Sequence, residues 1–396
     1  MVSVAEASAI IQNNLWTPKA ERVDLLSSLN RVLAEDVLAD RDFPPYDRVT
    51  MDGIAINQDQ FLKGLKKFKI AGVQAAGVPQ MKLNSPDSCL EVMTGAILPE
   101  GCDTVIRYED LKIENGYAEI TIPSIKKGES IHRQGSDTKK SSIVMPKGSV
   151  ISSAEIPLLA SVGIARVSVQ SLPHAAVIST GNELVKIEEQ PEPHQIRVSN
   201  VYALAAALQQ HNLLPDFFHI QDEEENIRKT LEKVLSNYDL IILSGGVSKG
   251  KFDLIPSMLT AMGISNHFHQ VKQRPGKPMW FGTGKGKTVF ALPGNPVSTF
   301  LCFYKYINPW LTKSLGAEYS VPKVVLDSDF TFDPPLTYFL QVKIRNENGQ
   351  YKATPIPGGG SGDFVNLRNV DGFIELPLER NLFKKGEVFP FISFRG

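Results

Sequence analysis

Residues 238–253 read Tyr-Asp-Leu-Ile-Ile-Leu-Ser-Gly-Gly-Val-Ser-Lys-Gly-Lys-Phe-Asp, and their reading decides the fold. Asp239 to Leu243 is a short apolar run with two β-branched residues, bounded by polar and glycine signals, which predicts a buried central strand. Ser244-Gly245-Gly246 follows at once, and the two glycines allow a sharp turn with backbone N–H groups close to a ligand. Val247 to Lys251 adds a hydroxyl, two ammonium groups and a third glycine. Phe252 to Met262 predicts a helix, with Leu254, Ile255, Met258 and Leu259 on one side and Gly263 as its stop. A strand, a glycine-rich loop and a helix start can form an anion cradle or an ordinary tight turn. The spacing matches neither GxxxxGK[ST] nor GxGxxG, so nucleotide binding of those two kinds is not supported.

Outward from this stretch, residues from about 168 to 316 alternate strand and helix. Strands are predicted at Ala175–Ile178, Leu213–His219, Leu240–Leu243, His267–Val271, Met279–Phe281 and Thr288–Leu292. Helices are predicted from Ser199 or Asn200, around Ile227–Leu235, and over Val297–Leu311 with Asn295 as N-cap and Pro296 as first helical residue. Such alternation implies a mainly parallel sheet with helices on both faces. Four loops follow strands directly: Thr180–Leu184, Ser244–Asp253, Lys272–Pro278 and Pro293–Pro296. In open parallel sheets ligands bind at the carboxyl ends of the strands, so all four are expected to face one crevice.

The flanks read differently. Residues 3–38 carry helical spacing, through Val4, Ala7, Ile10 and Ile11 and again through Val23, Leu25, Leu26 and Leu29. Residues 57–130 hold short strand-like runs broken by Gly, Pro and Asn, the rhythm of a small barrel or sandwich. Helical signal returns at Ser153–Val162, so the β segment is read as an insertion into a helical region. Residues 320–396 are again β-like, with the glycine-rich loop Pro357–Asp363.

A chain of 396 residues has room for about two to four domains, and 42% hydrophobic with 21% charged residues is ordinary for a globular protein. A net charge of −1 offers nothing global to nucleic acid or an anionic membrane, so neither is an expected partner. Three widely spaced cysteines argue against a disulfide framework or zinc site, and no signal peptide or membrane span is evident; a cytoplasmic protein is expected. Cations (Arg274, Lys277, Lys249) beside glycine loops suit a phosphorylated ligand. Acids in the same loops (Glu183, Asp253), with Asp52 and Asp137 on glycine-containing loops elsewhere, are read either as turn caps or as ligands for Mg²⁺ in attack on a phosphoryl group. No Ser-His-Asp, Cys-His, HxxxH or HExxH set stands out.

Several stretches together resemble the MoeA/gephyrin E-domain family, the molybdopterin molybdenumtransferases. These are FPPYDRVTMDGIAI, VMTGAILPEGCDTVIRYED, RQGSDTKKSSIVMPKG, VISTGNEL, IRVSN, SGGVSKGKFD, RPGKPMWFG, ALPGNPVS and GSGDFVNLRNVDGFIELP, in the family's order across almost the whole chain. The resemblance implies a multidomain α/β plus β fold. Its parts are a split helical domain (1–43 and 131–166), an inserted β domain (44–130), a central, mainly parallel α/β molybdopterin-binding domain (167–316) and a C-terminal β-barrel (317–396). It implies a homodimer with a site between subunits, adenylylated molybdopterin and molybdate as substrates, Mg²⁺ as cofactor, and a molybdopterin adenylyltransferase as a candidate partner. Carried over by motif, the catalytic acids are Asp52, Asp137, Glu183 and Asp253, with Asp52, Asp137 and Asp253 as metal ligands. Ligand would be held by Thr94, Ser244, Gly245, Gly246, Ser248, Arg274, Lys277, Gly294, Asn295 and Ser361. Arg274 stands where many members carry Lys, Asn182 where many carry Asp, and Ser136 where an acid is common. An adenylyltransferase-like enzyme or a non-catalytic molybdopterin-binding scaffold are the rival readings.

Overall fold

The structure is a computed structural model that describes residues 1–221, 223–247 and 254–395. The chain divides into two compact units. The larger comprises residues 1–34, 148–153 and 166–396, and the smaller residues 35–147 and 154–165.

In the larger unit the predicted central strand is Leu240–Ser244, in a six-stranded sheet. The order runs Asp216–Ile220, Ala175–Thr180, Leu240–Ser244, Lys287–Leu292, Trp280–Gly284, Ser265–His269. The first four strands are parallel, and the last two attach antiparallel. Successive side chains along a strand point to opposite faces. Leu240, Ile242, Phe290 and Leu292 accordingly join one core, against helices Asn200–Gln209 and Pro296–Cys302. Ile241, Leu243, Val289 and Ala291 join the other, against Glu224–Asn237 and Ile255–Ala261. Burial on both faces is the reason this strand reads as an unbroken apolar run. Helix Pro296–Cys302 continues through a wide π-helical turn, Phe303–Ile307, into Asn308–Ser314.

The C-terminal segment closes a five-stranded barrel from Thr337–Glu347, Gln350–Pro355, Lys323–Leu326, Val388–Ser393 and Gly372–Leu376, the last pairing back onto the first. Closure leaves no free sheet edge within the ring. Gln273–Arg274 adds a short parallel strand against Thr337–Tyr338 and so ties the Lys272–Pro278 loop to the barrel.

The smaller unit holds a mixed six-stranded sheet ordered Thr104–Arg107, Gly53–Ile56, Ser88–Val92, Lys67–Gln74, Tyr117–Ile120, Leu111–Glu114. Short ribbons Val37–Leu38 with Ile143–Met145, and Arg48–Val49 with Ile131–His132, accompany it, with the helices Gln58–Leu62 and Glu155–Ser161.

The helical reading of residues 3–38 is corrected. Only Val4–Gln12 forms an α-helix there, opened by a capping box in which Ser3 and Glu6 exchange hydrogen bonds. Ala20–Asp24 is a strand paired antiparallel with Arg166–Gln170, and Leu26 is 79% exposed rather than on a buried stripe. Val167 and Val169 of the partner strand are buried, and their pairing outweighs a local helical period. Among the described residues the split helical region is therefore α-helical only at Val4–Gln12 and Glu155–Ser161, with one short 3-10 turn at Leu25–Ser28.

Candidate functional site

The carboxyl ends of the parallel strands carry the glycine loops, as the spacing predicted. Gly245 N–H donates to Leu292 O at 3.0 Å, which joins the loop after one strand to the end of the next. Gly245 and Gly246 have φ of +98° and +68°. A Cβ on Gly245 would lie 2.4 Å from Thr180 Oγ1, and one on Gly246 2.5 Å from Ile255 Cδ1. Both positions thus need glycine for conformation and for space. Ser244 is buried, and its Oγ accepts from Asn200 Nδ2 at 2.8 Å. The same amide donates to Gly294 O at 2.7 Å, so Asn200 braces two ligand loops at once. Sequence reading treated Asn200 only as a helix start; a polar residue heading a helix beside two glycine loops was the available signal.

A cavity of about 450 Å³ opens beside these loops. Arg274, Lys277, Asn295 and Ser361 line it, together with Tyr338 and Gln341 from the barrel. Four of the predicted ligand residues therefore share one space. Its floor is built by Gln273, fully buried, whose Nε2 donates to Pro275 O at 3.1 Å and Gly276 O at 3.3 Å and whose Oε1 accepts from Tyr306 Oη. Sequence reading did not single out Gln273, Tyr338 or Gln341, because their role depends on the barrel docking beside the loop. Arg274 and Lys277 are exposed, and among the described residues neither forms an ion pair with a carboxylate. The Arg274 guanidinium stands 5.9 Å from the Phe332 ring centre.

Asn295 occupies the predicted N-cap position without capping. Its Nδ2 donates to Ser361 Oγ at 2.9 Å, while the Val297 N–H is taken by Ser361 O at 3.0 Å. The Pro357–Asp363 loop thus closes over the helix start, with Gly359 N–H donating to Asp363 Oδ2 at 2.8 Å. Glu183 is exposed on the loop after Thr180. Ser248, Lys249 and Asp253 lie outside the described residues.

In the smaller unit Asp52 precedes Gly53, where a Cβ would stand 1.9 Å from Ile106 O; only glycine lets the strand approach its neighbour there. Asp52 Oδ1 accepts from Thr94 N at 2.6 Å and from Thr94 Oγ1 at 2.8 Å. These two bonds, the backbone one foremost, hold the Asp52 carboxyl below the usual carboxylate range. Asp137 lies on a tight loop, its N–H bonded to Phe43 O at 2.9 Å and its Oδ1 2.7 Å from His132 Nε2. The structure brings Asp52 to Thr94, and Arg274 and Lys277 to Asn295 and Ser361. Among the described residues no group of three or more His, Cys, Asp or Glu side chains forms a ready metal site.

Fold and site define a multidomain α/β protein with cations and glycine loops at the carboxyl end of a parallel sheet, an arrangement that suits an anion. Residues 2–163 match the model of the MoeA N-terminal region, 176–313 that of a probable molybdopterin-binding domain, and 323–394 that of the MoeA C-terminal region. A molybdopterin molybdenumtransferase of Synechocystis is 40% identical over 100% of both chains, and one of Staphylococcus epidermidis is 32% identical over 99% of this chain and 95% of its own. The crystal structure of a molybdopterin biosynthesis MoeA protein from Pyrococcus horikoshii superposes with a TM-score of 0.85 at 32% identity, covering 100% of both chains. The chain belongs to the MoeA family, and it is a transferase of molybdenum cofactor biosynthesis.

Proposed function

We propose that this chain inserts molybdate into adenylylated molybdopterin, with hydrolysis of the phosphoanhydride and release of AMP and molybdenum cofactor. The observation that carries the reading is the cavity in which Arg274 and Lys277, free of carboxylate partners among the described residues, meet Asn295 and Ser361 beside the Gly245 and Gly294 loops. Unpaired cations and turned-in backbone groups suit an oxyanion and a phosphate chain. Arg274 and Lys277 neutralise the anions; the Ser244, Gly245 and Gly246 turn and Gly294 position the phosphates; Asp52, Asp137, Glu183 and Asp253 are the acids assigned to water and metal. The match over the whole length of a named molybdenumtransferase disfavours an adenylyltransferase built on the α/β part alone.

Mg²⁺ is proposed to arrive with the substrate. Magnesium is usually held by one or two carboxylates plus substrate phosphates and keeps several waters. Asp52, Asp137 and Asp253 are the proposed protein ligands, and the bound ion would draw negative charge from the phosphoanhydride. A homodimer is proposed, with Asp52, Thr94 and Asp137 of one subunit completing the crevice of its partner, and with a molybdopterin adenylyltransferase supplying the substrate. A cytoplasmic setting is proposed on the three free, buried cysteines.

The test is anaerobic: protein, adenylylated molybdopterin, molybdate and Mg²⁺ are mixed, and AMP release is followed beside reconstitution of an apo-molybdoenzyme. Molybdate-dependent AMP release with active cofactor is expected. Binding without release would overturn the insertase reading in favour of a scaffold. For the dimer, light scattering should give twice the chain mass, and mixed Asp52→Ala and Arg274→Ala chains should regain activity that each lacks alone.

A further inference from the structure

His132 has no part in the reading above, yet the smaller unit places it between a cation and a site acid. The Arg48–Val49 and Ile131–His132 ribbon sets His132 directly opposite Arg48. Arg48 Nη2 lies 3.1 Å from His132 Nδ1. A guanidinium can only donate, so Nδ1 must accept and the ring proton must sit on Nε2. That nitrogen is 2.7 Å from Asp137 Oδ1 and donates to it. The result is a directed chain from cation to neutral imidazole to carboxylate.

We propose that His132 is a positioning residue for Asp137, with its tautomer set by Arg48. Asp137 needs such a partner because its side chain is 57% exposed, and an exposed carboxylate otherwise samples several rotamers. The backbone of its loop is already fixed: Asp47 accepts from Arg133 Nη1 at 2.6 Å and from Gln134 N at 2.9 Å, and Asp137 N–H donates to Phe43 O at 2.9 Å. The imidazole fixes what the backbone leaves free by engaging Oδ1. A base or ligand oriented by a third group through the far ring nitrogen is a recurrent device in active sites. The inference rests on Asp137 being a site acid, as proposed above.

Two measurements test it. In the AMP-release assay, His132→Ala should lower kcat about tenfold with little change in KM, the size typical of losing an outer partner of a site ligand. His132→Gln, whose amide N–H can reach the same oxygen, should restore most of the rate. Asp137→Ala combined with His132→Ala should be no slower than Asp137→Ala alone. Wild-type rates in His132→Ala alongside an inactive Asp137→Ala would overturn this inference and leave the role of Asp137 standing. Full activity in Asp137→Ala would overturn that role first. Independently of activity, nitrogen-15 spectra of histidine-labelled protein, with His132→Gln to assign the signal, should show the Nε2–H tautomer at His132 and its loss in Arg48→Met; an Nδ1–H tautomer in the wild type would overturn the proposal.

Discussion

In the larger unit Arg274 and Lys277 stand at the cavity without carboxylate partners among the described residues, whereas in the smaller unit the candidate acids Asp52 and Asp137 are already held by donors. Thr94 gives Asp52 two hydrogen bonds, and His132 engages Asp137. The difference teaches how each region is prepared for charge. Cations left unpaired keep their full attraction for an incoming anion. The two carboxylates are oriented beforehand, as a group that acts at one geometry would be, and being exposed they lose little solvation in the process. Glycine serves both regions, as space for close approach at Gly53 and as a left-handed turn at Gly245 and Gly246.

Substitutions can break this contrast in order of size. Asp52→Ala should lower kcat for AMP release about a thousandfold, the range for a positioned acid or base, with an almost unchanged melting temperature. A wild-type rate would remove Asp52 from the chemistry. Arg274→Ala should cost about a hundredfold in kcat/KM through weaker binding of the anionic substrate, and Arg274→Lys about tenfold, since charge survives but the planar fork does not. Equal losses for both would mean that geometry rather than charge governs the cavity.

Asn200→Ala should cost about tenfold in kcat/KM and about 1–2 kcal/mol in stability, because it releases the Ser244 and Gly294 loops together and leaves part-buried groups unpaired. Loss of stability alone would make Asn200 a structural brace. The smallest effect belongs to Thr94→Val. The Asp52 carboxyl lies below its usual range through the Thr94 backbone N–H first and its hydroxyl second. A carboxyl depressed in the folded state adds stability that is complete above the unfolded pKa and is lost as pH falls through the folded one. Thr94→Val keeps the backbone bond and removes the hydroxyl, so acid unfolding should begin at slightly higher pH, and neutral activity should fall about twofold to threefold. An unchanged acid limb would show that the backbone bond alone holds Asp52.

Much of the crevice was legible because it is written locally. Leu240–Leu243 is apolar throughout as a strand covered on both faces must be, and glycine at positive φ leaves its mark at Gly245 and Gly246. The Arg274 to Lys277 loop was legible for the same reason, as was the Asp52-Gly53 turn of the smaller unit. What was misread depends on partners distant in sequence. Ala20–Asp24 has helical spacing but is a strand because Arg166–Gln170 pairs with it. Asn295 has the identity of an N-cap, yet its amide goes to Ser361, 66 residues away.

The sequence by itself determined the alternation of strand and helix, the glycine loops at the strand ends, the candidate acids and cations, and the family. Only the tertiary structure decided which of them meet: Thr94 on Asp52, Asn200 across Ser244 and Gly294, Gln273 beneath the cavity, and His132 between Arg48 and Asp137. The physical reason is range. Backbone conformation and burial patterns are set by neighbours a few residues apart and show in composition and period. Thr94 with Asp52, Asn200 with Ser244 and Gly294, and Arg48 with His132 join positions more than 40 residues apart, so these contacts exist only after the chain has folded, and no local pattern records them; the short-range His132–Asp137 bond takes its direction from that distant Arg48.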